Sequence, residues 1–295
     1  RIVHEVKLLP ALQMFLLPPY MRRRPIRGHP PPENQQPDNP EQAEQQFYPG
    51  IYDVLKVRHI LAWKVIAGGV PAEVVDMIID AAEYWPSVEF RMEGQRIIRK
   101  DVDQALVRTS PLCYDERTLD TPSPKQLPHR AAHPCRKVIF SIVSHDQGGA
   151  SQARMPNPYD GSYTWFDVEV IHNAQDPSQR EVIEAKMNPV ERVPRHFGPD
   201  DPLLLPREHN LQSNRARVQP AHLHKITWHY LDDIEADSPE AAEIERIQGR
   251  GRATLDGNQV RGLQIGDSIM VWGRARFPGW TNYTVELSVR VFWAV

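Results

Sequence analysis

The side chains able to do chemistry in this 295-residue chain are scattered along it. His222-Leu223-His224 would put two imidazoles on one face of a strand, because residues two apart share a face. Two imidazoles are half of a metal site, but Glu235, which would add the carboxylate, is too far along and follows a turn. His129, His133 and Cys135 form a second cluster, short of a fourth ligand. His145-Asp146 could join a serine in a triad if the fold supplied one. There is no Gly-x-Ser-x-Gly turn to present that serine. Gly249-Arg250-Gly251-Arg252 lacks both the lysine and the preceding strand of a phosphate loop. A metal-dependent or hydrolytic enzyme built on His145, Asp146, His222 and His224 is therefore the alternative reading.

The stronger chemistry is recognition. Arg274 and Arg276 lie on one face of an expected strand, and Phe277-Pro278-Gly279-Trp280 follows as a turn with an aromatic at its tip. Arginine beside exposed aromatics suits sugar hydroxyls, carboxylates, phosphates or a protein surface. With His145, Asp146 and Trp165 these residues form the candidate ligand site. In the opposing arrangement Trp272 and Phe277 are core, Trp280 closes the end of the domain, and the arginines pair with nearby acids.

Several elements must position these groups. Val54, Val57, Leu61 and Val65 recur at helical spacing and stop at Gly68-Gly69. Pro71 suits the first turn of a second helix, whose apolar residues are Val74, Val75, Ile78, Ile79 and Ala82. A third helix is expected from Lys100 to Val107. After Cys135 the period changes to two: residues 138–143, 162–171, 222–230, 268–276 and 284–294 read as strands. Residues 188–209 read as a long polar loop, and 235–248 as a surface helix. The fold class expected is α+β: a short helical module at 51–108, a linker at 109–135, and a mainly antiparallel, jelly-roll-like β-sandwich at 136–295.

Composition narrows the class. The 28 prolines are nearly twice the usual share of about 5%, and many fall in residues 1–50. That segment reads as an extended or disordered arm with an arginine run at Arg22, Arg23 and Arg24. The net charge of −3 gives no global field to attract nucleic acid. No stretch approaches the roughly 18 apolar residues of a membrane helix. Cys113 and Cys135 are too few for a disulfide framework and read as reduced thiols in a cytoplasmic or nuclear protein, although they could pair. Asn282-Tyr283-Thr284 is a glycosylation sequon without meaning in that setting. No cofactor is expected.

Two resemblances add expectations. Val70-Pro71-Ala72-Glu73-Val74-Val75-Asp76-Met77-Ile78-Ile79 resembles the opening of an F-box, with valine where leucine is usual. This implies that Pro71, Val74, Val75, Ile78 and Ile79 dock a Skp1-like protein. The segments Ser144-His145-Asp146-Gln147-Gly148, Ser162 to Val168, Leu211-Gln212-Ser213-Asn214-Arg215 and Gly266 to Trp280 resemble the C-terminal domain of an uncharacterised family of filamentous fungi. That likeness implies a β-rich domain over residues 136–295 and carries no activity. The expected function is a non-catalytic binding or adaptor protein. Its sandwich would read a protein or carbohydrate-like ligand, and its helices would dock a protein partner.

Overall fold

The computed structural model describes residues 47–149 and 157–295. The arm expected over residues 1–50 lies outside the described residues as far as residue 46. Two helices come first. α1 (Ile51–Lys64) begins where the Asp53 carboxylate accepts the Gly50 N–H at 2.9 Å, and it buries Val54 and Leu61. The chain then turns through Gly68 and Gly69, both at positive φ, a region that costs a side chain energy and glycine nothing. α2 (Ala72–Ala81) follows Pro71 and buries Val75 and Ile79.

The third helix expected at Lys100–Val107 is a strand. Residues 87–108 form β1 (Ser87–Arg91), β2 (Arg96–Arg99) and β3 (Gln104–Arg108), so the helical module ends at Ala81. The remaining strands are β4 (Cys135–His145), β5 (Thr164–Ile171), β6 (Gln212–Ser213), β7 (His222–His229), β8 (Ser268–Ala275) and β9 (Thr281–Trp293). One sheet runs β1-β9-β4-β7, with β2 also paired to β9; the other runs β3-β8-β5-β6. Every pairing is antiparallel. The expected linker at 109–135 is bound into this framework: Thr109 and Leu112 donate backbone N–H groups to Ile269 and Asp267, and Leu112 and Cys113 are buried.

Alternation explains why the sheets face each other. From Val138 onward in β4 the buried residues are Val138, Phe140, Ile142 and Ser144, with less buried ones between them. Val138, Phe140, Ile226, Trp228 and Val289 from the first sheet share a core with Phe166, Ile269, Val271 and Leu106 from the second. The structure is thus α+β with a two-sheet β-rich body packed as a sandwich. At one end the gap is bridged by polar groups: Ser144 donates to Asn214 Oδ1 at 2.6 Å, and Asn214 Nδ2 donates to Thr164 Oγ1 and Asn282 Oδ1, each at 3.1 Å. Asn282, the sequon asparagine, is fully buried in that network.

Two more helices carry the start signals their sequences announce. α3 (Pro177–Met187) begins with Pro177 after Asp176, whose carboxylate accepts the Ser178 N–H at 2.8 Å. α4 (Pro239–Gln248) begins with Pro239 after Ser238, which caps Ala241 N–H at 3.1 Å; it lies inside the helix expected at 235–248. A short helix, α5 (Asn258–Arg261), precedes β8. Among the described residues no helix is long and apolar enough to cross a membrane.

The helical pair shares the sandwich's core through Val54, Val75, Ile79 and Trp85. Trp85 is 1% exposed; its indole donates to Asp80 at 2.8 Å and lies beside His229 and Tyr230. Around it, Arg130 bridges Asp76 at 2.8 Å and Asp80 at 2.7 Å, and Arg58 pairs with Asp76. Just past α2, Glu83 sits at a φ of 50° and meets Lys137 at 2.6 Å and His229 at 3.3 Å. The His229 imidazole first, and the Lys137 ammonium next, hold its carboxyl at about 2 against the opposing effect of burial. Replacing a buried tryptophan by alanine costs about 3–5 kcal/mol, and Trp85→Ala is expected to lower urea stability by that order. The Glu83 carboxyl is depressed on folding, so its contribution is complete above the ordinary value of 4.5 and is lost as pH falls toward about 2. Urea midpoints measured between those limits should fall more steeply for the native chain than for Glu83→Gln.

Candidate functional site

The two arginines expected to meet a ligand point into the protein. β8 follows a turn at Gly266-Asp267, where Asp267 Oδ2 accepts the Gln264 N–H at 2.9 Å. On its outer face Arg274 sits opposite Trp165, and Trp272 opposite Asp167. Arg274 pairs with both Asp103 and Asp167. Arg276, with no exposed surface, binds Asp103 through two nitrogens at 2.6 and 2.9 Å and donates its Nε–H to the Leu203 carbonyl at 2.9 Å. The Phe197 ring stacks against the guanidinium at 3.6 Å. Burial pushes the Asp167 carboxyl up, opposed by Arg274. Taken together these contacts strap the irregular 188–209 segment across the second sheet. Arg192 adds a bond to Gln104 Oε1 at 2.9 Å, and the Arg195 N–H one to the Asp101 carbonyl at 2.9 Å.

Of the two arginines expected at a ligand site, Arg276 is fully enclosed with its donors on Asp103 and backbone carbonyls, and Arg274 spends Nε and Nη1 on Asp167 and Asp103. Trp165 is 1% exposed and donates to Asp167 at 3.0 Å, so it too is internal. Trp280 is half-buried, set edge-on against Tyr163 at 5.1 Å. It closes the turn expected at Phe277-Pro278-Gly279-Trp280, its N–H reaching the Phe277 carbonyl at 3.3 Å. Pro278, followed by Gly279 at positive φ, follows the type II turn pattern.

His145 and Asp146 also hold structure. His145 stacks on Tyr283 with ring centroids 4.9 Å apart. Asp146 is fully buried; one oxygen accepts the Gly148 N–H at 2.7 Å and the other the Arg217 N–H. Burial raises its carboxyl pKa. Gln147 accepts the Thr281 N–H at 3.1 Å. The segment therefore pins three neighbouring stretches of backbone.

His222 and His224 do share a face, with ring centroids 4.8 Å apart. They pair with Ser144 and Ile142, whose face turns inward, whereas His145 is on the outward side of β4. The catalytic grouping of His145 with His222 and His224 is thus split across the sheet. Burial first, and then His222 and Arg215, drive the His224 imidazole down to about 3. Among the described residues no three His, Cys, Asp or Glu side chains come together to hold a metal ion. The cluster expected at His129, His133 and Cys135 does not form: the His129 Nδ1 meets the Leu127 carbonyl at 2.8 Å, His133 is exposed and Cys135 is buried. Cys113 and Cys135 are buried free thiols, and burial lifts Cys135 to about 12 and Cys113 further.

The docking residues divide. Val75 and Ile79 are 1% and 2% exposed and belong to the core, so they are not available to a Skp1-like surface. Ile78 is partly buried against the same core, while Pro71 and Val74 are exposed. What the spacing did not reveal is the opposite face. Among the described residues, eight of the seventeen exposed large apolar side chains fall between Phe47 and Met77. Tyr52, Ile60 and Trp63, 84%, 41% and 66% exposed, occupy the side of α1 turned from Val54 and Leu61. The signal was present in the sequence, since these residues break the amphipathic pattern of α1.

No family model matches this chain, and neither curated proteins nor solved structures give a significant match.

Removing one partner of a buried ion pair leaves an uncompensated charge and costs about 3–5 kcal/mol. Asp103→Asn is expected to destabilise the protein by about 3 kcal/mol in urea unfolding. It should also open 188–209 to limited proteolysis, which a surface ion pair would not do.

Proposed function

We propose that the protein is a non-catalytic binding or adaptor protein that docks a protein partner through the outward face of α1. The observation that carries this reading is the concentration of exposed apolar side chains on the helical pair, led by Tyr52 and Trp63. Surfaces rarely leave tryptophan and tyrosine in water together with aliphatic neighbours unless another surface covers them. Lys56, His59 and Lys64 are exposed on the same helix, so the fitting partner is an acidic segment carrying apolar anchors. The sandwich supplies a rigid base, because the helices and the sheets share one core. The buried, unpaired cysteines support a reducing setting, cytoplasmic or nuclear.

The reading is tested with the full chain and its Tyr52→Ala/Trp63→Ala variant as parallel baits. The partner is the protein retained by the first and lost from the second. Purified, it should bind the variant more weakly by about 2 kcal/mol or more, the loss typical of an aromatic anchor. The unfolding midpoint should not move, because both side chains face solvent. Equal retention of every protein by both baits, or retention of none, would sink the proposal.

A further inference from the structure

The outward face of the first sheet carries a cleft of about 530 Å³, within the roughly 300–1,000 Å³ range of small-molecule sites. Its floor comes from alternate residues of two paired strands, Ile139 on β4 with Lys225 and Thr227 on β7, which point away from the core. Ile234, Ile244 and Leu255 from the stretch around α4 add apolar wall. Arg250, at the end of that helix, is fixed by Nε–H and Nη2–H bonds to Thr254 Oγ1 at 3.2 Å and the Thr254 carbonyl at 2.7 Å.

The charges in this cleft are unevenly matched. Three cations, Lys137, Lys225 and Arg250, line it beside two carboxylates, Glu83 and Asp232. Glu83 is engaged by Lys137 and His229, and Asp232 accepts the His229 backbone N–H at 2.8 Å. Among the described residues, neither Lys225 nor Arg250 forms an ion pair. His229 is 8% exposed, and its Nε2 lies 3.3 Å from Glu83. Burial drives the Arg250 guanidinium down to about 10, with Asp232 opposing, the mark of a cation lacking a close counter-ion.

We propose that this cleft is a binding site for a small organic carboxylate with an apolar body. The carboxylate lies against Arg250 and Lys225, and the hydrocarbon lies on Ile139, Ile234, Ile244 and Leu255. A guanidinium held in place suits a carboxylate, since its N–H donors are already directed. One surplus positive charge suits a monoanion better than a phosphate dianion. The apolar walls exclude a small inorganic ion as the full occupant. The site is separate from the outward face of α1, so it stands or falls independently of the docking proposal.

Calorimetry on the full chain near neutral pH, with decanoate and the uncharged decanol as probes, tests this. Decanoate should bind roughly tenfold tighter than decanol. Arg250→Gln should erase that preference, and Lys225→Gln should weaken decanoate severalfold with decanol unaffected. Lys225 is exposed on a strand, so its variant keeps the test open if Arg250→Gln fails to fold. Ile244→Asp should weaken both probes. Tyr52→Ala/Trp63→Ala should change neither. Failure of either probe to bind, equal affinity for both, or unchanged decanoate affinity in Lys225→Gln would overturn the proposal.

Discussion

Two arginines enclosed beside a β-sheet fix the relation of several distant segments of this structure. A guanidinium removed from water must be met by carboxylates and carbonyls in good geometry, or the fold loses several kcal/mol. Arg274 on β8 and Arg276 just past its end meet this requirement with Asp103 ahead of β3, Asp167 on β5 and the Leu203 carbonyl. Three pieces of chain far apart in sequence are thereby fixed in one place. β3 cannot slide along β8, since a change of register would part Asp103 from both arginines. The 188–209 segment, with little regular structure of its own, inherits a definite path from the same cluster.

Much of the architecture was legible because apolar periodicity survives in single elements. Val138, Phe140 and Ile142 announce β4, and Val54 and Leu61 announce α1. β1 to β3 were hidden because they are short and rich in arginine: Arg91, Arg96, Arg99 and Arg108 sit in or at the ends of strands at the margins of the sheets. Lys100 to Val107 read as helical because four apolar or long residues at loose spacing fit either period. The start of α3 was missed although Asp176-Pro177 marks it. The candidate site failed for a different reason. A buried arginine and an exposed one are spelled alike, and Asp103 lies 171 residues from Arg274. No local window holds both partners. His145 and Asp146 mislead in the same way, because their partners, Arg217 and Tyr283, come from distant strands and loops.

The two surfaces proposed for function differ in kind. The outward side of α1 exposes Tyr52, Ile60 and Trp63, and the partner proposed for it must be large enough to cover that stripe. The cleft over β4 and β7 is concave and mixed, apolar below and cationic at its side. Both rest on elements that share a single core, so neither is a loose appendage. Trp85 and the Glu83–Lys137–His229 cluster stand between them, with Glu83 and Lys137 lining the cleft and Trp85 packing under the helices. Several polar groups that look catalytic by type act as braces: Asp146 holds the Gly148 and Arg217 N–H groups, and Asp167 pairs with Arg274.

β9 pairs with β1, β2 and β4, and it is the last of the strands in chain order. Ser87 finds its neighbour at Phe292, and Arg96 at Thr284. The first sheet therefore has no middle until β9 has been synthesised. Earlier strands must wait with open hydrogen-bonding edges, in a state that invites pairing with other chains. Closing loops of that length before any contact rewards them makes folding slow. β1 and β4 are the strands whose β9-facing edges stay open during that interval.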